Sequence, residues 1–335
     1  MNKRGVSVKQ TVKQIIKYIL LALVILLTLL TVWNYICKII GKLQRENVYG
    51  RKITVDGKTM VVDVTGNEDR PSLILLPGWG CASPVLEFHP LAKRLSEDFQ
   101  VITIEPFGYG LSDGTDKERT AENIVQELHD CVKQLGCREY YLMGHSIAGL
   151  YALYWANQYP DEVKGFIGID PSVPKMEDEN PFPISMVTLN KLSAYAGKAM
   201  NLMGITRLKS IRNPRKAIYA DEEYPYSDKD LKAFRLLSID TAYNKTVLGE
   251  LNFMEGNLRK VRNLKFPKDM PVLEFISEDN CKMMPAWEQL HKDTIGTGEV
   301  IRMSGGHYLH FEHPDEIAKK VKGWIHKMEP SELIK

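Results

Sequence analysis

One serine and one histidine stand out by the company they keep. Ser146 lies in Gly144-His145-Ser146-Ile147-Ala148-Gly149, directly after the apolar run YYLM and before LYALYWANQ. The first run reads as a strand and the second as a helix, so the chain must bend sharply between them. Gly144 and Ala148 are small enough to let strand and helix approach. A serine on so tight a turn projects its hydroxyl from the end of the strand, with the helix N-terminus behind it. Such a hydroxyl becomes a nucleophile once a base takes its proton, and nearby backbone N–H groups can stabilise a developing oxyanion. The expected base is His307. It sits in Ser304-Gly305-Gly306-His307, after the last apolar run and before a helix opened by Pro314. His310 and His313 fall on the helix side, and His89, His129, His291 and His326 fall within helical patterns that suit surface or core roles. His145 adjoins the serine, but the turn should point its ring away.

Elements that could hold these residues alternate along the chain. NVYGRKITVDGKTMVVDVT (47–65) reads as two strands joined at Asp56-Gly57, a favoured hairpin pair. Further strands are expected at 72–76, 101–105, 140–143, 165–170, 272–277 and 299–303. Helical patterns separate most of them, such as 120–136 with Ile124, Leu128, Cys131, Val132 and Leu135 on one stripe. Short apolar strands alternating with helices imply a parallel sheet covered on both faces. The interval from Pro171 to Pro271 breaks this rhythm, with helix-like stretches at 184–208, 229–239 and 243–261 and no convincing strand. So long a structureless loop is improbable, so 173–264 is expected to be a helical insertion.

Charge is distributed unevenly. Residues 1–45 hold eight Lys or Arg and no acid, leaving 36 basic against 42 acidic residues downstream, a balance of −6. A mildly acidic main domain gives no footprint for nucleic acid. Within the basic N-terminus, Tyr18 to Cys37 are twenty residues without a charge, the length of a membrane-crossing helix. Trp33 and Tyr35 suit a membrane–water boundary, and no small-residue cleavage pattern follows. The expected layout is a cytoplasmic basic stretch 1–17, a signal anchor 18–37, and a domain 47–328 outside the cytoplasm. Lys3, Arg4, Lys9, Lys13 and Lys17 before the span, against Lys38, Lys42 and Arg45 after it, set that orientation. The five cysteines show no metal-ligand spacing, and no metal is expected.

Four motifs in order, LPGWG at 76–80, EPFGYGLSD at 105–113, GHSIAG at 144–149 and GGHYLHFEHP at 305–314, make the chain resemble the α/β-hydrolase superfamily, in its lipase- and esterase-like serine branch. The resemblance covers roughly 48–328. It implies a mostly parallel eight-stranded sheet with helices on both faces, a helical cap between strands 6 and 7, a serine–histidine–acid triad and no cofactor. It also implies an oxyanion hole from the backbone N–H groups of Trp79 and Ile147. Relatives usually have a histidine where Pro77 stands, a departure that leaves backbone donors intact.

The acid departs further. Relatives usually carry it after the seventh strand, where VLEFISEDNC places Asn280. Asparagine can hydrogen-bond an imidazole but cannot stabilise an imidazolium. Asp170, at the end of the sixth strand, is the favoured replacement, and Asp279 the alternative. The expected function is a membrane-anchored serine hydrolase of an apolar acyl ester. Carbon–carbon hydrolases and acyltransferases share the serine, and a silent scaffold would explain the missing acid. Serine at the turn argues against haloalkane dehalogenases and epoxide hydrolases, which need aspartate there. Met186, Leu189, Leu192, Met200, Leu202, Met203 and Ile205 are expected to line an apolar pocket under the cap.

Overall fold

Asp56 and Gly57 both adopt positive φ, 50° and 71°, and turn β1 (Arg51–Val55) back onto β2 (Lys58–Thr65). That hairpin opens the sheet in the computed structural model, which describes residues 8–45, 48–215, 218, 220–221 and 223–329. Lys3, Arg4 and Asn47, used above to orient the anchor and start the domain, lie outside the described residues. Six further strands follow: β3 (Ser72–Leu76), β4 (Gln100–Glu105), β5 (Tyr140–His145), β6 (Val163–Ile169), β7 (Pro271–Ser277) and β8 (Thr297–Met303). The sheet order is β1-β2-β4-β3-β5-β6-β7-β8. β2 pairs antiparallel with β1 and β4, and every other pairing is parallel.

Twelve helices accompany these strands among the described residues. α1 (Val8–Arg45) precedes the sheet, α2 (Pro84–Leu95) links β3 to β4, α3 (Ala121–Gln134) links β4 to β5, and α4 (Ala148–Gln158) links β5 to β6. α5 (Met186–Leu202), α6 (Ile205–Arg212), α7 (Asp228–Asp240) and α8 (Lys245–Val261) lie between β6 and β7 and form the cap. α9 (Glu278–Met283) and α10 (Trp287–Thr294) connect β7 to β8, and α11 (Leu309–Glu312) and α12 (Pro314–Ile325) follow it.

Alternation along the strands builds two cores. Ile74 and Leu76 face α3 and α4, whereas Leu73 and Leu75 face α2 and α12. α3 shows how local sequence and packing agree. The Thr120 hydroxyl caps it by accepting from the Asn123 N–H, worth about 1 kcal/mol. Its stripe of Ile124, Leu128, Cys131 and Val132 is buried, at about 2 kcal/mol per large aliphatic side chain.

The cap is held from two sides. α8 is tied to the core: Asn257 accepts from the Ala121 N–H at 2.8 Å and donates to the Arg119 carbonyl at 3.0 Å. α1 holds the other side, packing on α7 and on the corner between α5 and α6, while α5 also rests on α8. The stretch 184–208, expected as one helix, breaks at Gly204, whose φ is 74°. A Cβ there would stand 2.9 Å from the Leu30 carbonyl oxygen and from the Asn34 Cβ, so glycine permits the docking of α1. Asn34 donates to the Asn201 carbonyl at 2.8 Å and accepts from Arg207 Nε at 2.7 Å. Arg207 in turn pairs with Asp240. α1 is the one helix among the described residues long and apolar enough to cross a membrane, over Gln10–Gln44.

Candidate active site

The turn after β5 is as strained as its sequence requires. Ser146 has φ 55°, a conformation a non-glycine residue adopts only when its surroundings enforce it. Ile169 O accepts from the Ser146 N–H at 3.2 Å, and Ser146 O accepts from the N–H groups of Gly149 at 3.0 Å and Ser172 at 2.7 Å. A Cβ on Gly144 would come within 2.8 Å of the Ala148 Cβ, so even alanine would push α4 away. Ser146, Ile147, Trp79 and His307 line one cavity of about 310 Å³. Among the described residues no group accepts a hydrogen bond from the backbone N–H of Trp79 or Ile147.

The loop carrying Trp79 is held by the cap. The Trp79 indole donates to the Val247 carbonyl on α8 at 2.9 Å, and the Gly80 N–H reaches the Tyr109 hydroxyl at 3.4 Å. Tyr109 and Tyr151 donate to the two oxygens of Glu250, at 2.6 and 2.8 Å. Burial pushes the Glu250 carboxyl above its ordinary range, opposed by the Tyr109 hydrogen bond, the Arg119 charge and the Tyr151 hydrogen bond.

Two carboxylates were candidates to orient His307, and the geometry separates them. Asp170 Oδ2 stands 2.6 Å from His307 Nδ1. Asp170 has φ 42° and is fully buried, and its carboxylate also accepts from the Ser277 N–H at 2.9 Å, the Trp287 indole at 3.0 Å and Asn280 Nδ2 at 2.5 Å. Asp279 instead lies on the surface, 63% exposed, with Lys282 3.5 Å away. Asn280, where the resemblance places the acid, donates to Asp170 at the end of the neighbouring strand. Neither Asn280 nor Trp287 was foreseen in that part; asparagine at the acid's usual place was the available signal.

His145 does turn away from the cavity, but to a definite place. Its Nε2 lies 3.0 Å from the His307 carbonyl oxygen, and its ring packs 4.6 Å from that of His307. Burial, followed by the neighbouring His307 and His310, lowers its pKa well below the usual histidine range. A neutral ring there supports the His307 loop without adding charge. His310 Nε2 stands 3.4 Å from Glu87 Oε1. Glu87, His145 and His310 bring ligand-type atoms within 4.8 Å of one another, a composition that could hold a metal ion. None of the three lines the cavity.

The cavity wall is apolar, but not for the residues expected. Met176, Met186, Met254, Met283 and Met284 line it, contributed by the β6–α5 connection, two cap helices and the β7–β8 connection. Of the seven residues expected from α5 and the start of α6, only Met186 faces inward. Met200 is 39% exposed and does not line the cavity.

A family model described as alpha/beta hydrolase fold matches residues 71–314. An uncharacterized Bacillus subtilis protein, YbdG, is 25% identical over 293 residues, covering 83% of this chain and 86% of its own length. A pimeloyl-(acyl-carrier protein) methyl ester esterase of Legionella pneumophila is 31% identical over 100 residues, 30% of this chain and 38% of the esterase. Among solved structures, Cfl2 from Burkholderia cenocepacia superposes with a TM-score of 0.66 at 16% identity, over 83% of this chain and 97% of Cfl2. The sheet order, the strained turn and a family match across most of the chain agree, and the protein belongs to the alpha/beta hydrolase fold family.

Proposed function

We propose that the protein is a membrane-anchored serine hydrolase that cleaves carboxylic esters with an apolar acyl group. The observation that carries this reading is the 2.6 Å contact between His307 and Asp170 on the cavity that Ser146 also lines. Ser146 attacks the ester carbonyl while His307 takes its proton. Asp170 fixes the Nδ1–H tautomer and stabilises the imidazolium that forms. The N–H groups of Trp79 and Ile147 receive the oxyanion, the protonated imidazole gives its proton to the leaving alcohol, and water then releases the acyl group. The five methionines around the cavity make an adaptable apolar wall for the acyl chain.

The esterase relative supports ester chemistry, over the 30% of this chain that it covers. The scaffold reading rested on a missing acid, and the contact between Asp170 and His307 weighs against it. α1 supports the anchor reading, and the excess of Lys and Arg before the uncharged stretch supports a cytoplasmic N-terminus with the hydrolase domain on the other side. A fluorophosphonate probe tests the chemistry: labelling should occur in the native protein and vanish in Ser146→Ala. Labelling that persists in Ser146→Ala would move the nucleophile elsewhere, and hydrolysis of acetate but not longer esters would sink the apolar acyl pocket.

A further inference from the structure

α5 is apolar on two sides. Met186 and Val187 face the cavity, whereas Leu189, Leu192 and Met200 point outward and are 37%, 63% and 39% exposed. α6 continues the outer face with Leu208 and Ile211, 54% and 55% exposed. A run of large apolar side chains on one outer face marks a contact surface rather than ordinary surface scatter. What covers it is indicated by its neighbour. α1 docks against α7 and against the α5–α6 corner, at Gly204 and through the buried Asn34–Arg207–Asp240 chain.

Depth and charge point to the same occupant. Leu30, which meets Gly204, is seven residues before Cys37, the end of the uncharged stretch, or about 10 Å along a helix. The Gly204 corner of the cap therefore sits about as deep as interfacial amphipathic helices do, roughly 5–10 Å into the headgroup boundary. Asn34 would be costly inside an apolar span unless partnered, and the cap supplies its partners. From Pro181 to Ala220 the chain carries seven Lys or Arg and no Asp or Glu, and the six besides the buried Arg207 make a composition suited to anionic headgroups.

We propose that the outer face of α5 and α6 rests on the lipid bilayer, so that the cap is a second membrane contact and apolar substrate reaches the cavity from the lipid side. This rests on reading α1 as a membrane span. α5 then separates lipid on one face from the cavity on the other, one helix thickness apart.

The test uses the full chain in vesicles of phosphatidylcholine and phosphatidylglycerol containing a shallow spin-labelled lipid. A fluorescent amino acid is incorporated singly at position 192, 208, 25 or 138. Position 25 reports the span, and position 138, just before β5, reports the opposite end of the sheet. The expected result is about a twofold loss of fluorescence at 192 and 208, as for residues within the interface, and none at 138. Quenching at 25 without quenching at 192 and 208 would overturn the proposal and leave the anchor standing. Quenching at 192 and 208 without any at 25 would uphold the lipid contact and remove the span, and none at any position would overturn both. Shielding of 192 and 208 from both lipid and aqueous quenchers would place a second copy of the chain on this face and overturn the proposal.

Discussion

β6 and β7 lie side by side and both end within reach of His307, yet they offer it different groups. β6 ends in Asp170, buried, at positive φ, and contacting His307 through Oδ2. β7 runs on into Ser277 and α9, whose Asn280 donates to that same Oδ2. The ends are complementary: one supplies a buried carboxylate, the other the Ser277 N–H and the Asn280 amide that donate to it. Under the proposed mechanism the acid comes from β6 and one of its hydrogen-bond donors from the β7 side. Asn280 is then a partner of the acid rather than a failed acid.

Asp170→Asn tests this most severely. Asparagine tolerates positive φ, so the fold should survive while turnover of a nitrophenyl ester falls by about 10⁴. An intact melting curve with undiminished kcat would break the comparison. Moving the acid sharpens it: the double variant Asp170→Asn with Asn280→Asp should regain about ten- to a hundredfold of that loss, since the pair is restored in the opposite sense. No recovery would mean that the β7 end cannot orient the histidine. Asn280→Asp alone places a second carboxylate against Asp170, which favours the protonated forms of its neighbours. The acidic limb of the kcat/KM profile should therefore move to higher pH, with kcat at pH 8 reduced about tenfold or less. Asp279→Asn should change kcat less than about twofold, because its carboxylate faces Lys282 and solvent. A larger effect would return Asp279 to consideration.

How far the sequence carried depended on the range of the interactions involved. The strand 72–76, the apolar stripe of 120–136, the hairpin at Asp56-Gly57 and the strained serine are set by neighbours in the chain, and all were legible. Gly204 was not. Residues 198–208 read as continuous helix because the reason for the break, contact with Leu30 and Asn34, lies about 170 residues away. The methionines failed in the same manner. Periodicity identifies a helix with apolar residues all round, but not which side meets the cavity, and Met283 and Met284 enter from another connection altogether. Asn34 did carry a readable sign, as a polar side chain in an apolar stretch that requires a partner somewhere.

The hold of α8 on the Trp79 loop has a consequence for durability. Two contacts, the indole to Val247 and Tyr109 to Glu250, make a cap helix the support of the loop expected to meet the oxyanion. Heat that frees α8 from the sheet would disorganise that loop while the sheet persists. The temperature of half-inactivation should therefore fall below the midpoint of the circular-dichroism melt. Glu250→Gln, which weakens the buried junction by about 1–3 kcal/mol, should widen the gap between the two temperatures. An enzyme built this way ages from the roof downward.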